Sequence, residues 1–196
     1  MSWPPAITLN GTHASLTPLS QAHAAELAEA CAEADLWKAW YTSIPSPDQV
    51  SHEIDRRLAL QKTGSMLPFA VLTPDGKAVG MTTYMNIDAV HKRVEIGSTW
   101  YRKSVQRTPL NTECKLMLLA HAFEDLDCIA VEFRTHFMNR QSRTAIERLG
   151  AKLDGVLRSH QRTADGSLRD TAVYSILAHE WPAVKNGLNF KLTEYR

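Results

Sequence analysis

At 196 residues, with 44% apolar and 22% charged side chains and a formal net charge of +1, the chain reads as one folded domain and not as a disordered segment. So small a net charge argues against a protein built mainly to coat nucleic acid or an anionic membrane. Three widely spaced cysteines, Cys31, Cys114 and Cys128, form no CxxC pair and read as buried thiols in a reducing compartment.

The first sixteen residues hold no basic region followed by an apolar core, so no signal peptide is expected. No apolar run approaches a membrane span, and the expected location is the cytoplasm. Ile7 to Leu19 alternates loosely and predicts one strand or a pair of short ones. Ser20 can cap a helix running to about Glu33, with Leu27 and Cys31 on one face. The aromatic segment Leu36 to Ile44, with Trp37, Trp40 and Tyr41, has no clear period. Ser46-Pro47-Asp48-Gln49 signals a second helix start, followed by the stripe Val50, Ile54 and Leu58, and Gly64 ends it.

Leu67 to Thr73 and Ala78 to Ile87 form a hairpin around Pro74-Asp75-Gly76-Lys77. Val94 to Tyr101 is the next strand. A helix from Thr112 to Leu126 is expected to bury Leu116, Leu119, Ala120 and Phe123. Cys128 to Thr135 is a strand with Ile129, Val131 and Phe133 on one face and Glu132, Arg134 and His136 on the other. A helix from Arg140 buries Ala145, Ile146 and Leu149 and stops at Gly150. Lys152 to Arg162 and Asp170 to Leu177 make a terminal hairpin through Ala164-Asp165-Gly166-Ser167. Beyond Gly187 the tail reads as peripheral, and Phe190 and Tyr195 leave open a homodimer through it.

Two strand–loop–helix units stand out in this order. Gln106, Arg107, Thr108, Pro109, Leu110, Asn111 and Thr112 lead from the Val94–Tyr101 strand into a helix. Asn139-Arg140-Gln141-Ser142 opens the next. The first N–H groups of a helix lack internal partners and the helix dipole favours negative charge there, so both starts suit a phosphate-bearing ligand. Arg102, Lys103 and Arg107 add positive charge to the first. The eight histidines form no HExxH and no Cys/His cluster, so no metal is expected.

The order β-α-α-β-β-β-α-β-α-β-β resembles the GCN5-related N-acetyltransferases, most closely the ribosomal-protein N-terminal acetyltransferase branch. The resemblance runs from Ile7 to about Leu188. Glu95-Ile96-Gly97-Ser98-Thr99-Trp100 with its loop carries it, as do Asn139-x-x-Ser142 with Ala145, Ile146, Leu149 and Gly150, and Gly155-Val156-Leu157-Arg158 running on to Asp170 and Tyr174. It implies a single α/β domain of the α+β type. Its mixed, mostly antiparallel sheet splays between the fourth strand (Val94–Tyr101) and the fifth (Cys128–Thr135), with helices on its faces.

The resemblance further implies acetyl-CoA as co-substrate and a primary amine, a protein N-terminus or a small molecule, as acceptor. Ser98, Thr99, Trp100 and Tyr101 would pair with pantetheine, and Gln106 to Thr112 would hold the pyrophosphate. The family's small positions in that loop are Pro109 and Asn111 here. Proline donates no hydrogen bond, although its fixed φ suits a first helical turn. Asn139 either contacts the cofactor or caps its helix. Ser142 either protonates the departing thiolate or caps. The position where the branch places a basic Glu falls on Gln161, which is no base. Neighbouring His160 is turned to the opposite face by alternation. Glu95 and Glu132 are the remaining candidates, with an ion pair as the structural reading of Glu132. Trp100 packs either the core or the pantetheine wall, and the Trp37–Tyr41 segment either walls the acceptor pocket or covers the sheet. The alternative function is a non-catalytic acyl-CoA-sensing module on the same fold.

Overall fold

Two Asp-Gly turns, a Ser-Pro helix start and two runs of alternating apolar residues lay out most of the molecule. The computed structural model describes residues 3–163 and 165–194, so Ala164 and Tyr195 lie outside the described residues. One eight-stranded sheet has the order β1-β2-β3-β4-β5-β6-β8-β7. Its strands are β1 (Leu9–Asn10), β2 (Ser15–Pro18), β3 (Met66–Leu72), β4 (Ala78–Asp88), β5 (Arg93–Tyr101), β6 (Ala130–His136), β7 (Lys152–Arg162) and β8 (Leu168–Leu177). Helices α1 (Ala24–Ala32), α2 (Val50–Lys62), α3 (Pro109–Ala120), α4 (Arg140–Arg148) and α5 (Trp181–Thr193) complete it. The first predicted strand is thus a pair, and the predicted fourth and fifth strands are β5 and β6.

Every pairing is antiparallel except β5 with β6. The β3–β4 hairpin closes where the Gly76 N–H donates to Thr73 (2.9 Å) and the Thr73 N–H to Lys77 (2.9 Å). Gly76 sits at φ +85°, a conformation in which a side chain is strained. One face of the sheet gathers Tyr84, Val94, Ile96, Val131, Phe133, Tyr174 and Ile176 against Cys114 and Leu118 of α3 and Leu188 of α5. The other gathers Ala70, Met81 and Trp100 under Leu27 and Cys31 of α1 and Val50 and Ile54 of α2. Each fully buried Leu-sized side chain contributes about 1.5–3 kcal/mol.

Several expectations need correction. The third helix starts at Pro109, three residues early, because Thr108 caps it: its Oγ1 accepts from the Leu110 N–H (3.4 Å) and donates to the Val105 carbonyl (2.7 Å). It closes in a π turn over His121–Asp125. Its buried face carries Glu113, Cys114, Lys115 and Leu118 as well as Leu119, while Leu116, Ala120 and Phe123 are only half-buried. Polar partners on neighbouring elements pull Glu113 and Lys115 inward. Ile129 precedes β6 and is 55% exposed. Ala145 is exposed, so α4 buries Ile146 and Leu149 alone. The stretch beyond Gly187 is no peripheral tail, since it continues α5 and sinks Leu188 into the core.

Candidate functional site

The single parallel ladder is only three pairs long: Arg93 with Ala130, Val94 with Val131, Glu95 with Glu132. From there the strands part. β5 runs on to Tyr101 hydrogen-bonded only to β4, and β6 runs on to His136 hydrogen-bonded only to β8. Beyond that rung, among the described residues, the two strands make no ladder to each other, an edge geometry that can pair an extended, amide-bearing chain. The expected splay is therefore present, with Glu95 and Glu132 at its base.

The β5 arm is held from both faces. Ser98 bulges at φ +48°, where the β4 register slips between Met81 and Thr83. Its carbonyl accepts from Arg57 Nη1 (3.2 Å) and Nη2 (3.3 Å), and Arg57 Nη1 also donates to Thr83 Oγ1 (2.8 Å). Arg57 is 1% exposed, with its charge met by Glu53 at 2.7 Å. On the other face Lys115 donates to Thr99 Oγ1 (3.1 Å) and Thr82 Oγ1 (3.4 Å). Among the described residues it has no carboxylate within ion-pair distance, and burial lowers its pKa to about 8. Trp100 takes the core reading, in the cluster under α1 and α2.

The loop into α3 leaves backbone donors without loop partners. Arg107 is exposed and has φ +63°. Among the described residues, the N–H groups of Arg107, Thr108 and Asn111 have no partner outside regular elements. Pro109 takes the first helical position, where a missing N–H costs no helix bond. Gln106 Nε2 donates back to the Tyr101 carbonyl (3.0 Å), tying the loop to the strand. Arg102 is drawn off to Glu33, whose carboxyl it holds below the ordinary range, so Arg107 and Lys103 remain as the exposed cations. Glu113 points away from the loop and accepts from the N–H groups of Thr12 (2.9 Å), His13 (2.6 Å) and Ala14 (2.9 Å). A Cβ added at Gly11 would stand 2.5 Å from that carboxylate.

At the second helix start Asn139 is a cap, its Oδ1 accepting from the Ser142 N–H (3.0 Å). Ser142 is half-buried. Its hydroxyl, among the described residues, donates to no protein group.

Glu95 and Glu132 face each other across the last rung of the ladder in different surroundings. Glu95 is 5% exposed. Burial raises its pKa against the pull of the Asn86 amide, which donates at 2.6 Å, and of Arg134 at 3.5 Å. Burial also works upward on Glu132, but Arg93 and Arg134 (2.9 Å) overcome it and hold the carboxyl below the ordinary range. Alternation puts both on the face opposite α3.

That face continues along β6 through Arg134 to His136, and His136 pairs in register with Thr171 of β8. Trp40 from the loop between α1 and α2 sets its ring edge-on to His136 at 5.2 Å and to Tyr41 at 5.6 Å, so the aromatic segment reaches the mouth of the gap. His160 is not turned away as alternation implied. A bulge at Ser159 (φ +49°) places Arg158, Ser159 and His160 opposite Asp170 alone, and His160 Nδ1 lies 3.1 Å from Thr171 Oγ1. Gln161 pairs with Arg169. Sequence reasoning missed Arg57, Lys115 and His136; only Arg57 carried a signal, its i,i+4 spacing from Glu53.

A mixed sheet opened between two parallel strands, with a donor-rich helix start at its mouth and a buried carboxylate at its base, defines the architecture of an acyl-CoA-dependent transferase. Residues 14–152 match the model of the acetyltransferase (GNAT) domain. The chain belongs to the GNAT acetyltransferase family, which uses acetyl-CoA as co-substrate. It is 32% identical over 116 residues to a Bacillus subtilis (strain 168) protein named "Putative ribosomal N-acetyltransferase YdaF", a match covering 59% of this chain and 62% of that one. A GCN5-related N-acetyltransferase from Brucella melitensis superposes with a TM-score of 0.85 at 30% identity, over 95% of this chain and 85% of that one. Mycobacterium smegmatis RimJ, solved with CoA-disulfide, shares the fold at a TM-score of 0.80 and 22% identity, over 96% and 95% of the two chains. Among the described residues no group of three His, Cys, Asp or Glu is placed to hold a metal, and no helix is long and apolar enough to cross a membrane.

Proposed function

We propose that this protein transfers an acetyl group from acetyl-CoA to a primary amine, a protein N-terminus or a small molecule, by direct attack in a ternary complex. The observation that carries the reading is Glu95: a buried carboxylate of raised pKa at the base of a strand gap whose mouth holds unpaired backbone donors. The gap fits the co-substrate, since its unpaired strand edge can pair an amide-bearing arm and the N–H groups of Arg107, Thr108 and Asn111, at the start of the helix that Thr112 continues, can cradle phosphate. Acetyl-CoA supplies an activated thioester carbonyl.

Glu95, directly or through a water, takes the proton released as the amine nitrogen bonds to the carbonyl carbon and the C–S bond breaks. Ser142, at the start of α4, returns a proton to the leaving sulfur. Ser98 to Tyr101, pinned by Arg57 and Lys115, keep the receiving strand rigid, and much of the rate comes from that positioning. Glu132, committed to Arg93 and Arg134, orders the base of the gap. The buried thiols Cys31, Cys114 and Cys128 fit a cytoplasmic protein, and Phe190, 65% exposed on α5, leaves a homodimer open.

Isothermal titration with acetyl-CoA and thiol release against a panel of amines test this reading. Binding at sub-millimolar co-substrate with amine-dependent thiol release is the expected result. Absence of binding refutes it, and binding without any release above hydrolysis identifies a non-catalytic sensor instead.

A further inference from the structure

Polar groups along the face that borders the gap are matched one after another. Glu95 meets Asn86 and Arg134, and Glu132 holds Arg93 and Arg134. Toward the start of β8, Asp170 accepts from Arg158 Nε (2.6 Å) and the Ser159 N–H (2.7 Å), and Thr171 Oγ1 is bonded to His160 Nδ1. His136 is different. It is only 6% exposed, and its Nδ1 accepts from the Met138 N–H (3.0 Å). Burial lowers the pKa of the ring, so near neutral pH it carries one proton, and the Met138 bond places that proton on Nε2. Among the described residues the Nε2–H donates to no protein group. Unlike Nε2 of His121, it is not closed off from solvent. A nearly buried ring thus keeps one donor that a ligand can reach.

Position gives that donor a meaning. The β5–β6 ladder ends at Glu95 and Glu132, and His136 lies four residues farther along β6 on the same face. Four strand residues are roughly 13 Å, so His136 stands at the mouth of the gap and not at its base. Its carbonyl accepts from the Asn139 N–H (2.8 Å), and Asn139 in turn caps the Ser142 N–H (3.0 Å). The ring is therefore seated on the turn that carries Ser142. Exposed apolar side chains border it: Trp40 stands edge-on at 5.2 Å and is 61% exposed, and Met138, whose N–H holds the ring, is 60% exposed.

Resting on the acetyl-transfer reading, we propose that His136 is a specificity residue that donates through Nε2 to a carbonyl oxygen of the acceptor. The substrate is then a primary amine with an amide carbonyl on the part that stays at the mouth while its nitrogen enters the gap. That carbonyl belongs either to a peptide backbone or to a small-molecule amide. A ring that offers a proton and no free lone pair recognises an oxygen, and not the second ammonium of a polyamine. An acceptor without the oxygen leaves a nearly buried donor unpaired, so the site discriminates against plain alkylamines.

The test uses the full chain with acetyl-CoA and matched acceptors: Ser-Ala-Ala amide against analogues in which each peptide linkage in turn is an (E)-alkene, and ω-aminohexanamide against heptylamine. The carbonyl member of at least one pair is expected to have the higher kcat/KM by about tenfold or more, and the responding pair names the source of the oxygen. Two substitutions separate recognition from support of the turn. The Gln amide nitrogen falls near the place of Nε2, and the Asn amide oxygen near that of Nδ1. His136→Asn should keep the Met138 bond and lose the preference, while His136→Gln should recover part of it. Equal use of both members by the native chain, or an undiminished preference in His136→Asn, overturns the proposal while leaving acetyl transfer intact. A binding readout separates the two readings. Titration of the N-acetylated products into the CoA-loaded protein should favour the carbonyl member in the native chain and not in His136→Asn. The same affinity for both products overturns the carbonyl site even if no amine is turned over.

Discussion

The two arms of the gap are built from opposite materials. The β5 arm is fixed by buried groups: Arg57 beneath its bulge, Lys115 behind Thr99, and Glu95 with the neutral Asn86 amide. The β6 arm is fixed by half-exposed ion pairs, Glu132 with Arg93 and Arg134. Glu95 and Glu132 stand in register on the same ladder, yet one has its pKa raised and the other lowered. Neighbours, and not position along the strand, decide which carboxylate holds a proton more tightly.

The largest expected effect tests that contrast directly. Glu95→Gln should lower kcat by about 10²–10⁴-fold while acetyl-CoA affinity from titration stays within a few-fold. Glu132→Gln should cost less than about tenfold in the same assay. Equal losses would mean the two arms do the same work.

Stability should split the same way. Arg57→Ala strips a buried network and should cost about 3–5 kcal/mol in urea unfolding. Arg93→Ala removes a partly exposed partner and should cost about 0–1 kcal/mol. A smaller contrast is expected for Glu113→Gln, which weakens three charge-assisted bonds to the N-terminal hairpin and should lose about 1.5–3 kcal/mol.

The subtlest distinction is in pH. Glu95 binds its proton more tightly folded than unfolded. Its contribution to stability is therefore present below the ordinary carboxylate range and lost as pH rises through the raised value, while activity gains as the carboxylate forms. Lys115 has the opposite sign of response. Its folded pKa of about 8 lies below the ordinary lysine value of 10.5, so its contribution is full above 10.5 and falls away as pH drops toward 8. Urea midpoints across that window should rise with pH in the native chain relative to Lys115→Met, by roughly 1.4 kcal/mol per pKa unit. Parallel curves for the two proteins would show that Lys115 does not titrate there.

The outline of this molecule was legible where local chemistry dominates. The Ser46-Pro47 helix start, the helix start at Asn139, and the Asp-Gly turns all declare themselves over four residues or fewer, whereas the cap at Thr108 does not, and the third helix starts three residues before its expected place. The chain order then carried the resemblance, and with it the gap between β5 and β6. What stayed hidden depends on distant partners. Glu113 and Lys115 were not among the residues expected to be buried, because their partners are the β1–β2 hairpin and the Thr82–Thr99 pair. Ile129 reads as core because the expected strand begins at Cys128, two residues before its start at Ala130. His160 was misplaced because the bulge at Ser159 breaks the alternation, and α5 lacked a strong stripe. His136 carried no signal, since an unpaired donor is recognised only once the other polar groups on its face have been matched.

Glu113 binds backbone groups 99 to 101 residues earlier in the chain. During synthesis, which proceeds from the N-terminus, the turn at Thr12 to Ala14 leaves the ribosome long before its lock is made. The hairpin must wait, unlatched, until the start of α3 follows. Latching of the Thr12–Ala14 turn and folding of the start of α3 are thereby coupled, so a nascent chain that ends before Glu113 cannot hold the turn in this way.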